Sequence, residues 1–216
     1  MTIQLPVPDY AAARQAMIDS QLRPEGVNDP LVIDAMARVP REQFVPEHNR
    51  QLAYSDRSVP IGDGRELAPP VATGLLLTAM ALRPGQRALV IGSGSGYSAA
   101  VLSAIGLEVT AVEGSAELRA LAEAQGVRTT SAKPEEGFAE AGPFDVILID
   151  GAIEHVPDSI VAQLKDGGTI GFASLDRGVS RLTVGRKAGG ALGLRTIADS
   201  AVPPLPGFTR PRAFTF

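Results

Sequence analysis

A short apolar run that leads directly into three glycines constrains the fold of this 216-residue chain more than any other feature. Residues 85–96 read GQRALVIGSGSG, so the apolar stretch 88–91 is followed by Gly92, Gly94 and Gly96, and then by a helix-forming stretch. A strand, a glycine turn and a helix in this order bring backbone N–H groups close to a polar or anionic ligand. Side chains at the glycine positions would block that approach. The pattern therefore predicts a pocket for a nucleotide-type ligand.

After residue 86, apolar strand patterns alternate with helical ones. The predicted strands are 88–91, 108–112, 127–130, 146–150 and 169–173, and the predicted helices are 97–105, 116–125 and 157–164. Apolar strands that alternate with helices indicate a parallel sheet covered on both faces. Segments 181–187 and 192–199, separated by Gly189 and Gly190, predict a β-hairpin at the edge of the sheet, and 212–216 predicts a last short strand.

The first 83 residues are mostly helical in pattern. Asp9 is placed to cap a helix that runs to about residue 21, and Asp29 with Pro30 opens a second helix to about residue 38. Glycines and prolines at 62–70 indicate a loop, and 71–82 predicts a buried helix. We expect an α/β fold with a doubly wound, mostly parallel sheet in one domain, 1–216. Its parts are a helical N-terminal lobe, 1–83, and an α/β core with a C-terminal hairpin, 84–216.

The composition excludes several classes of function. The chain is 44% hydrophobic and 20% charged, as globular proteins are, and its net charge of −4 disfavours binding to nucleic acid. It contains no cysteine and two histidines, which excludes disulfides and thiolate chemistry and leaves no metal-ligand pattern. The N-terminus lacks the pattern of a signal peptide, and no apolar stretch is long enough to span a bilayer. We therefore expect a soluble, cytoplasmic protein that does not bind membranes.

Two acidic residues follow predicted strands at the edge where ligands of α/β sheets bind. Glu113 ends the second strand, where an acid typically accepts hydrogen bonds from ribose hydroxyls; the alternative is a solvated carboxylate. Asp150 ends the strand 146–150 and is equally well explained as a ligand contact or as a turn residue before Gly151. We expect a structural role for Asp145, which lies at the opposite end of that strand. For the pair Glu154 and His155 a surface loop is the favoured reading, with acid–base chemistry the weaker alternative.

Several segments together resemble the protein-L-isoaspartate O-methyltransferase family. The resemblance runs from about residue 10 to the C-terminal hairpin. The matching segments are 17–23 (MIDSQLR), 39–46 (VPREQFVP), 53–56 (AYSD), 60–64 (PIGDG), 92–97 (GSGSGY), 144–149 (FDVILI) and 163–168 (QLKDGG). The combination of VPREQFVP, AYSD and the glycine turn in this order is specific to that family.

The resemblance implies methyl transfer from S-adenosylmethionine to the carboxylate of isoaspartyl residues in damaged proteins, on the methyltransferase type of the α/β fold. It places the cofactor against seven residues: Gly92, Ser93, Gly94, Gly96, Tyr97, Glu113 and Asp150. It places the acceptor against four residues: Gly64, Leu67, Ala68 and Pro70. No catalytic residue is assigned and no general base is required, because a carboxylate acceptor is already ionised at neutral pH.

The chain departs from the family pattern at positions that bear on function. Ala68 stands where the family has an active-site serine, and Arg65 and Glu66 stand where it has glutamine and threonine. Val90 replaces an acid two residues before the first glycine, and Lys133 replaces an acid that receives the adenine amino group, with Glu135 and Glu136 close by. Two alternatives therefore stay open: a catalytically weak or inactive relative that acts as a binding module, and a small-molecule methyltransferase. The sequence does not decide the oligomeric state.

Overall fold

A seven-stranded sheet forms the centre of the molecule. The computed structural model describes residues 9–210. The strands, in chain order, are β1 (Val59–Gly62), β2 (Arg65–Leu67), β3 (Arg87–Ile91), β4 (Glu108–Val112), β5 (Thr129–Thr130), β6 (Phe144–Ile153), β7 (Leu164–Asp176), β8 (Val179–Ala188) and β9 (Ala191–Ser200). The order across the large sheet is β5–β4–β3–β6–β7–β8–β9, and β1 pairs with β2 in a separate two-stranded hairpin.

Helices precede the large sheet along the chain and alternate with its parallel strands. The α-helices are α1 (Tyr10–Met17), α2 (Pro30–Arg38), α3 (Pro70–Ala79), α4 (Tyr97–Ile105), α5 (Ala116–Ala124) and α6 (Asp158–Gln163). Short π- and 3₁₀-helices occupy Ile18–Leu22, Arg41–Phe44, Glu47–Leu52, Pro134–Glu136 and Ala139–Ala141. None of the helices between residues 9 and 210 is long and apolar enough to cross a membrane.

The central strands are buried on both faces, as their continuous apolar runs predict. Successive residues of β3 belong to different core clusters: Val90 packs in the cluster that includes residues of α1, α2 and α3, and Leu89 and Ile91 pack in the cluster that includes residues of α6. Strands β3 to β7 pair in parallel, and β8 and β9 add an antiparallel edge. The predicted α/β fold with a mostly parallel sheet and a C-terminal hairpin is confirmed.

The order of the strands places a crevice at the carboxyl ends of β3 and β6. The chain moves outward from β3 to β4 and β5, and then returns to β6 on the other side of β3. Such a reversal leaves a gap between the two following connections, and ligands of α/β sheets bind there.

The predicted loop at 62–70 is in part a hairpin, so that interpretation was wrong. Gly62 pairs with Arg65, and the two residues between them, Asp63 and Gly64, have φ values of 48° and 65°. Two successive positive φ angles are typical of a tight hairpin turn, for which Asp-Gly is a favoured sequence. The glycines mark this turn rather than an irregular loop.

Other boundaries follow the predictions with local changes. The helix starts at Asp9 and Asp29 are confirmed, because each side chain accepts a hydrogen bond from the first turn. The strand expected at 127–130 shrinks to two residues, and β6 and β7 extend beyond their apolar runs. The strand expected at 212–216 lies outside the described residues.

Candidate cofactor and acceptor site

The glycine turn lies between β3 and α4, at the crevice. Gly92, Gly94 and Gly96 have φ values of 65°, 55° and 93°, a region that side chains disfavour. A β-carbon at Gly96 would lie 3.0 Å from the Ala122 Cβ, so this glycine also permits close packing of α4 against α5. The side chains of Ser93 and Ser95 are buried, and their hydroxyls have no hydrogen-bond partner among residues 9–210.

Glu113 ties the glycine turn to two other elements. Its side chain is almost fully buried at the end of β4. One carboxylate oxygen accepts from the Gly94 amide at 2.8 Å, and the other accepts from the Ser115 amide at 3.0 Å, at the start of α5. An ion pair of 3.4 Å joins it to Arg65 on β2. The carboxylate therefore connects β3–α4, β4–α5 and the β1–β2 hairpin.

Arg65 extends from the hairpin across the crevice. Its Nη2 donates to the Gly92 carbonyl at 3.0 Å and to the Asp150 carbonyl at 3.3 Å. Only 10% of its side chain is exposed. The guanidinium thus lies over the carboxyl ends of β3 and β6. The sequence showed an arginine at a position where the family has glutamine, but not that it reaches into the crevice.

Leu205 also fills part of the crevice, where it lies against Gly92 and Gly151. It belongs to residues 202–208, which we call the C-terminal strap and which follow β9. The Leu205 amide donates to the Ala152 carbonyl, and the Ala152 amide donates to the Pro203 carbonyl, both at 2.8 Å. A β-carbon at Gly92 would lie 2.7 Å from the Leu205 Cδ1, and one at Gly151 would lie 2.7 Å from its Cβ. The space above these two glycines is therefore filled by a leucine side chain.

An open groove lies beside Arg65 and Leu205. Its volume is about 330 Å³. It is lined by Asp63, Arg65, Glu113, Gly114, Ser115, Pro134, Glu135, Leu205, Pro206 and Gly207. Glu135 faces the groove, whereas Lys133 is exposed and pairs with Glu136 at 3.2 Å. The carboxylate available beside the groove is thus two residues away from the Lys133 position.

The glycine turn and the groove suit the two halves of S-adenosylmethionine unequally. The adenosine half fits the open, acid-lined groove beside Glu113 and Glu135. The amino-acid half would have to use the backbone of Gly92 and the end of β6, where Arg65 and Leu205 now lie. The residues fit the whole cofactor only if these two side chains move.

Asp150 faces a second, smaller cavity of about 20 Å³. The cavity is otherwise almost wholly apolar and includes Ala68, Ser98 and residues of α3 in its wall. Burial raises the pKa of the Asp150 carboxyl, against the opposing effects of a hydrogen bond with Ser98 and the charges of Arg65 and Arg41. The space suffices for about one water molecule. Ala68 and Asp150, both predicted site residues, thus share one cavity.

Arg41, from the VPREQFVP segment, holds the backbone between β2 and α3. It is fully buried, and it donates from Nε to the Ala53 carbonyl at 2.7 Å and from Nη2 to the Ala68 carbonyl at 2.6 Å. Its guanidinium lies 4.8 Å from the centre of the Tyr97 ring, and burial lowers its pKa. The motif predicts the family, but the sequence did not indicate that its arginine carries the backbone of Ala68.

The remaining predicted residues are placed as follows. Tyr97 has no exposed surface and packs edge-on against Phe44, so a contact with a ligand would require rearrangement and stays a prediction. Leu67 and Pro70 are buried beside Ala68, whereas Gly64 lies at the open tip of the hairpin. The structure brings Gly92, Gly94, Glu113 and Asp150 together. Their contacts with a cofactor stay predictions.

Two acidic residues outside the crevice, Asp145 and Glu154, have structural partners. Asp145 accepts from the Arg87 amide at 2.9 Å and from the Lys165 Nζ at 2.7 Å. Burial alone would raise the pKa of Asp145, but these hydrogen bonds lower it further than burial raises it. The Glu154 amide donates to the carbonyl of Phe208, the last strap residue, at 3.3 Å, and its side chain accepts from the Arg210 amide at 2.8 Å, just beyond the strap.

A doubly wound sheet whose crevice holds a glycine turn tied to an acid at the end of the next strand defines an α/β domain of the methyltransferase type. A sequence model described as protein-L-isoaspartate(D-aspartate) O-methyltransferase (PCMT) matches residues 12–173. The chain belongs to this family.

Relatives and a solved structure agree with this assignment. Protein-L-isoaspartate O-methyltransferase of Methylorubrum extorquens (strain PA1) is 44% identical over 172 residues, covering 76% of this chain and 75% of its own. The protein of the same name from Roseiflexus sp. (strain RS-1) is 38% identical over 206 residues, covering 92% and 94%. A putative protein-L-isoaspartate O-methyltransferase of Plasmodium falciparum, solved with S-adenosyl-L-homocysteine, superposes with a TM-score of 0.78 over 92% of this chain and 99% of its own, at 20% identity. At that identity the likeness supports the fold.

Replacing Asp150 with asparagine tests the electrostatics of the small cavity. Because its pKa is raised in the folded state, the ionised carboxylate destabilises folding above that pKa, and the penalty disappears as the pH falls and the folded protein takes up the proton. We expect Asp150→Asn to unfold at a higher urea concentration than the wild type at pH 7, and the difference between the two midpoints to shrink toward pH 4. A difference that stays constant or grows as the pH falls would contradict a raised pKa of Asp150 in the folded protein.

Proposed function

We propose that the protein transfers a methyl group from S-adenosylmethionine to isoaspartyl carboxylates of damaged proteins or peptides. The observation that carries the proposal is the position of Glu113, which fixes the Gly94 amide beside an open, acid-lined groove at the sheet crevice. Membership of the family gives the reaction class, and its relatives carry this activity in their names.

Each part of the crevice has a task in this proposal. The Glu113 oxygen that accepts from the Ser115 amide has a second lone pair for a ribose hydroxyl while Arg65 stays in place, and Glu135 with Ser115 lines the adenine side. Backbone groups at Gly92 and Gly94 face the amino-acid arm. When bound, S-adenosylmethionine supplies an electrophilic methyl group on a positively charged sulfur.

The acceptor needs positioning rather than activation. An isoaspartyl carboxylate is ionised at neutral pH, so no residue has to remove a proton from it. Bringing the carboxylate into line with the methyl group supplies much of the acceleration, because a bimolecular reaction becomes effectively unimolecular. Arg41 serves this purpose by holding the backbone at Ala68, next to the cavity that Asp150 lines.

A binding role without catalysis is the second candidate. It is favoured by one observation: the amino-acid half of the crevice is filled by Arg65 and Leu205. The two candidates differ in whether a methyl group is transferred. Both require a folded protein, so a folding measurement does not distinguish them, and an assay of methyl transfer is needed.

An assay with paired peptides separates them. We expect methyl ester to form on a peptide that contains one isoaspartyl residue and not on the same peptide with ordinary aspartate. Glu113→Ala should reduce the rate at least about tenfold, because it removes the ribose acceptor and frees the glycine turn. Glu123→Ala, an exposed position on α5, is the matched control.

The outcomes of this assay are distinct. Methyl transfer to the isoaspartyl peptide alone supports the proposed reaction. A folded protein that methylates neither peptide but binds S-adenosylhomocysteine in a calorimetric titration supports the binding role. A small free carboxylic acid is offered as a third acceptor, and its methylation alone points to a small-molecule enzyme.

Replacing Ala68 with serine tests the acceptor side. The adjoining cavity has room for a hydroxyl, so we expect the free energy of unfolding to change by less than about 1 kcal/mol. The added hydroxyl faces the acceptor carboxylate in this proposal, so kcat should rise by up to about tenfold. Ala72→Ser, on another wall of the same cavity, is the control and should give no gain. Equal rates in all three proteins would show that Ala68 does not face the acceptor.

A further inference from the structure

We propose that Arg65 and the strap residue Leu205 form an internal plug that makes this site selective for the nucleoside half of its cofactor. In this state the groove admits an uncharged, 5′-substituted adenosine and disfavours the amino-acid arm of S-adenosylmethionine or S-adenosylhomocysteine. The inference rests on the proposed function and specifies which ligands the same site accepts before the plug opens.

Arg65 satisfies the groups that an amino-acid ligand would otherwise use. The carbonyl oxygens of Gly92, just after β3, and of Asp150, on the neighbouring strand β6, both face the crevice, and an ammonium group placed there would donate to them. The Arg65 Nη2 already donates to both, at 3.0 and 3.3 Å. A guanidinium can fill several acceptors at once because its donors lie in one fixed plane. It therefore stands in for the cation of the ligand.

The charge of Arg65 is balanced inside the site. Its Nη1 lies 3.4 Å from the Glu113 carboxylate, and both side chains are at least nine-tenths buried. Such a pair is held in place because removing one partner leaves a buried charge without compensation. The ammonium group of an amino-acid arm must therefore replace the arginine rather than bind beside it.

Leu205 closes the space above the glycines. A ligand atom placed over Gly92 or Gly151 would meet its side chain, which a β-carbon would already approach within 2.7 Å. The strap is anchored on both sides of this leucine, by the pairing of Ala152 with the strap and by the hydrogen bonds of Glu154 with Phe208 and Arg210. The leucine is thus held over the glycine turn by backbone hydrogen bonds.

The nucleoside half stays open in the same conformation. The groove that Ser115, Pro134 and Glu135 help to line has a volume of about 330 Å³. Arg65 and Leu205 belong to the same lining, so this volume is open with both side chains in place. A ligand without the amino-acid arm can therefore enter it without displacing either side chain.

The test compares two ligands that differ in the amino-acid arm. S-adenosylhomocysteine and 5′-methylthioadenosine are each titrated calorimetrically into the full-length wild type, Arg65→Gln, Leu205→Ala and the double variant. Arg83→Gln and Leu194→Ala are matched controls, because both residues are exposed and neither lies in the strap or in the β1–β2 hairpin. Thermal melting of every variant verifies folding, and Arg65→Gln keeps the test valid if Leu205→Ala is unstable.

We expect the wild type to bind the two ligands within about fivefold of each other, because the energy gained by the arm is spent on opening the plug. Arg65→Gln and Leu205→Ala should each tighten S-adenosylhomocysteine about tenfold and leave 5′-methylthioadenosine unchanged.

Three results would overturn the proposal. A wild type that prefers S-adenosylhomocysteine a hundredfold or more, with a ratio unmoved by the variants, would mean that no plug opposes the arm. Equal tightening of both ligands would mean general loosening rather than selective opening. Failure of all folded proteins to bind either ligand would reject the proposed cofactor site as well, which separates the failure of the proposed function from that of the plug alone.

Discussion

The buried carboxylate of Glu113 is the interaction on which the site depends. A carboxylate removed from water must be hydrogen-bonded or paired, and this one meets that demand with the Gly94 amide, the Ser115 amide and the Arg65 guanidinium. These three partners belong to three different connections of the chain. The shape of the glycine turn and the position of the β1–β2 hairpin are therefore linked through one side chain. The same carboxylate serves a ribose in the proposed function and holds Arg65 in the crevice, so the nucleoside half of the site and the plug share one side chain.

Local patterns carried most of the fold prediction. The strand, glycine turn and helix at 87–105 follow from an apolar run buried on both faces and from glycines whose φ values are positive. The sequence does not predict the hairpin at 59–67, because its strands are only four and three residues long and the glycines and prolines at 62–70 indicate a loop. Strand β6 runs past its apolar segment, and Ala152 near its end pairs with Pro204, some fifty residues further along the chain. No local signal predicts such a pairing.

The candidate site also has residues whose positions the sequence predicts and contacts that it does not predict. The positions of Glu113 and Asp150 were predictable, because residues that end parallel strands meet at one edge of the sheet. The plug was not, since Arg65 reaches Gly92 and Asp150 across 27 and 85 residues of sequence, and Leu205 approaches from beyond the last strand. Departures from the family pattern at Arg65 and Lys133 were visible in the sequence. Their consequences, a filled crevice and a groove flanked by Glu135 instead, depend on packing between distant segments.

A crystal structure of the protein with S-adenosylhomocysteine tests the central claim most directly. The account predicts adenosine in the groove with its ribose hydroxyls on Glu113, the Arg65 guanidinium withdrawn from the Gly92 and Asp150 carbonyls, and the Leu205 side chain moved off the glycine turn. A complete ligand bound with Arg65 and Leu205 unmoved, or bound away from Glu113, would contradict it.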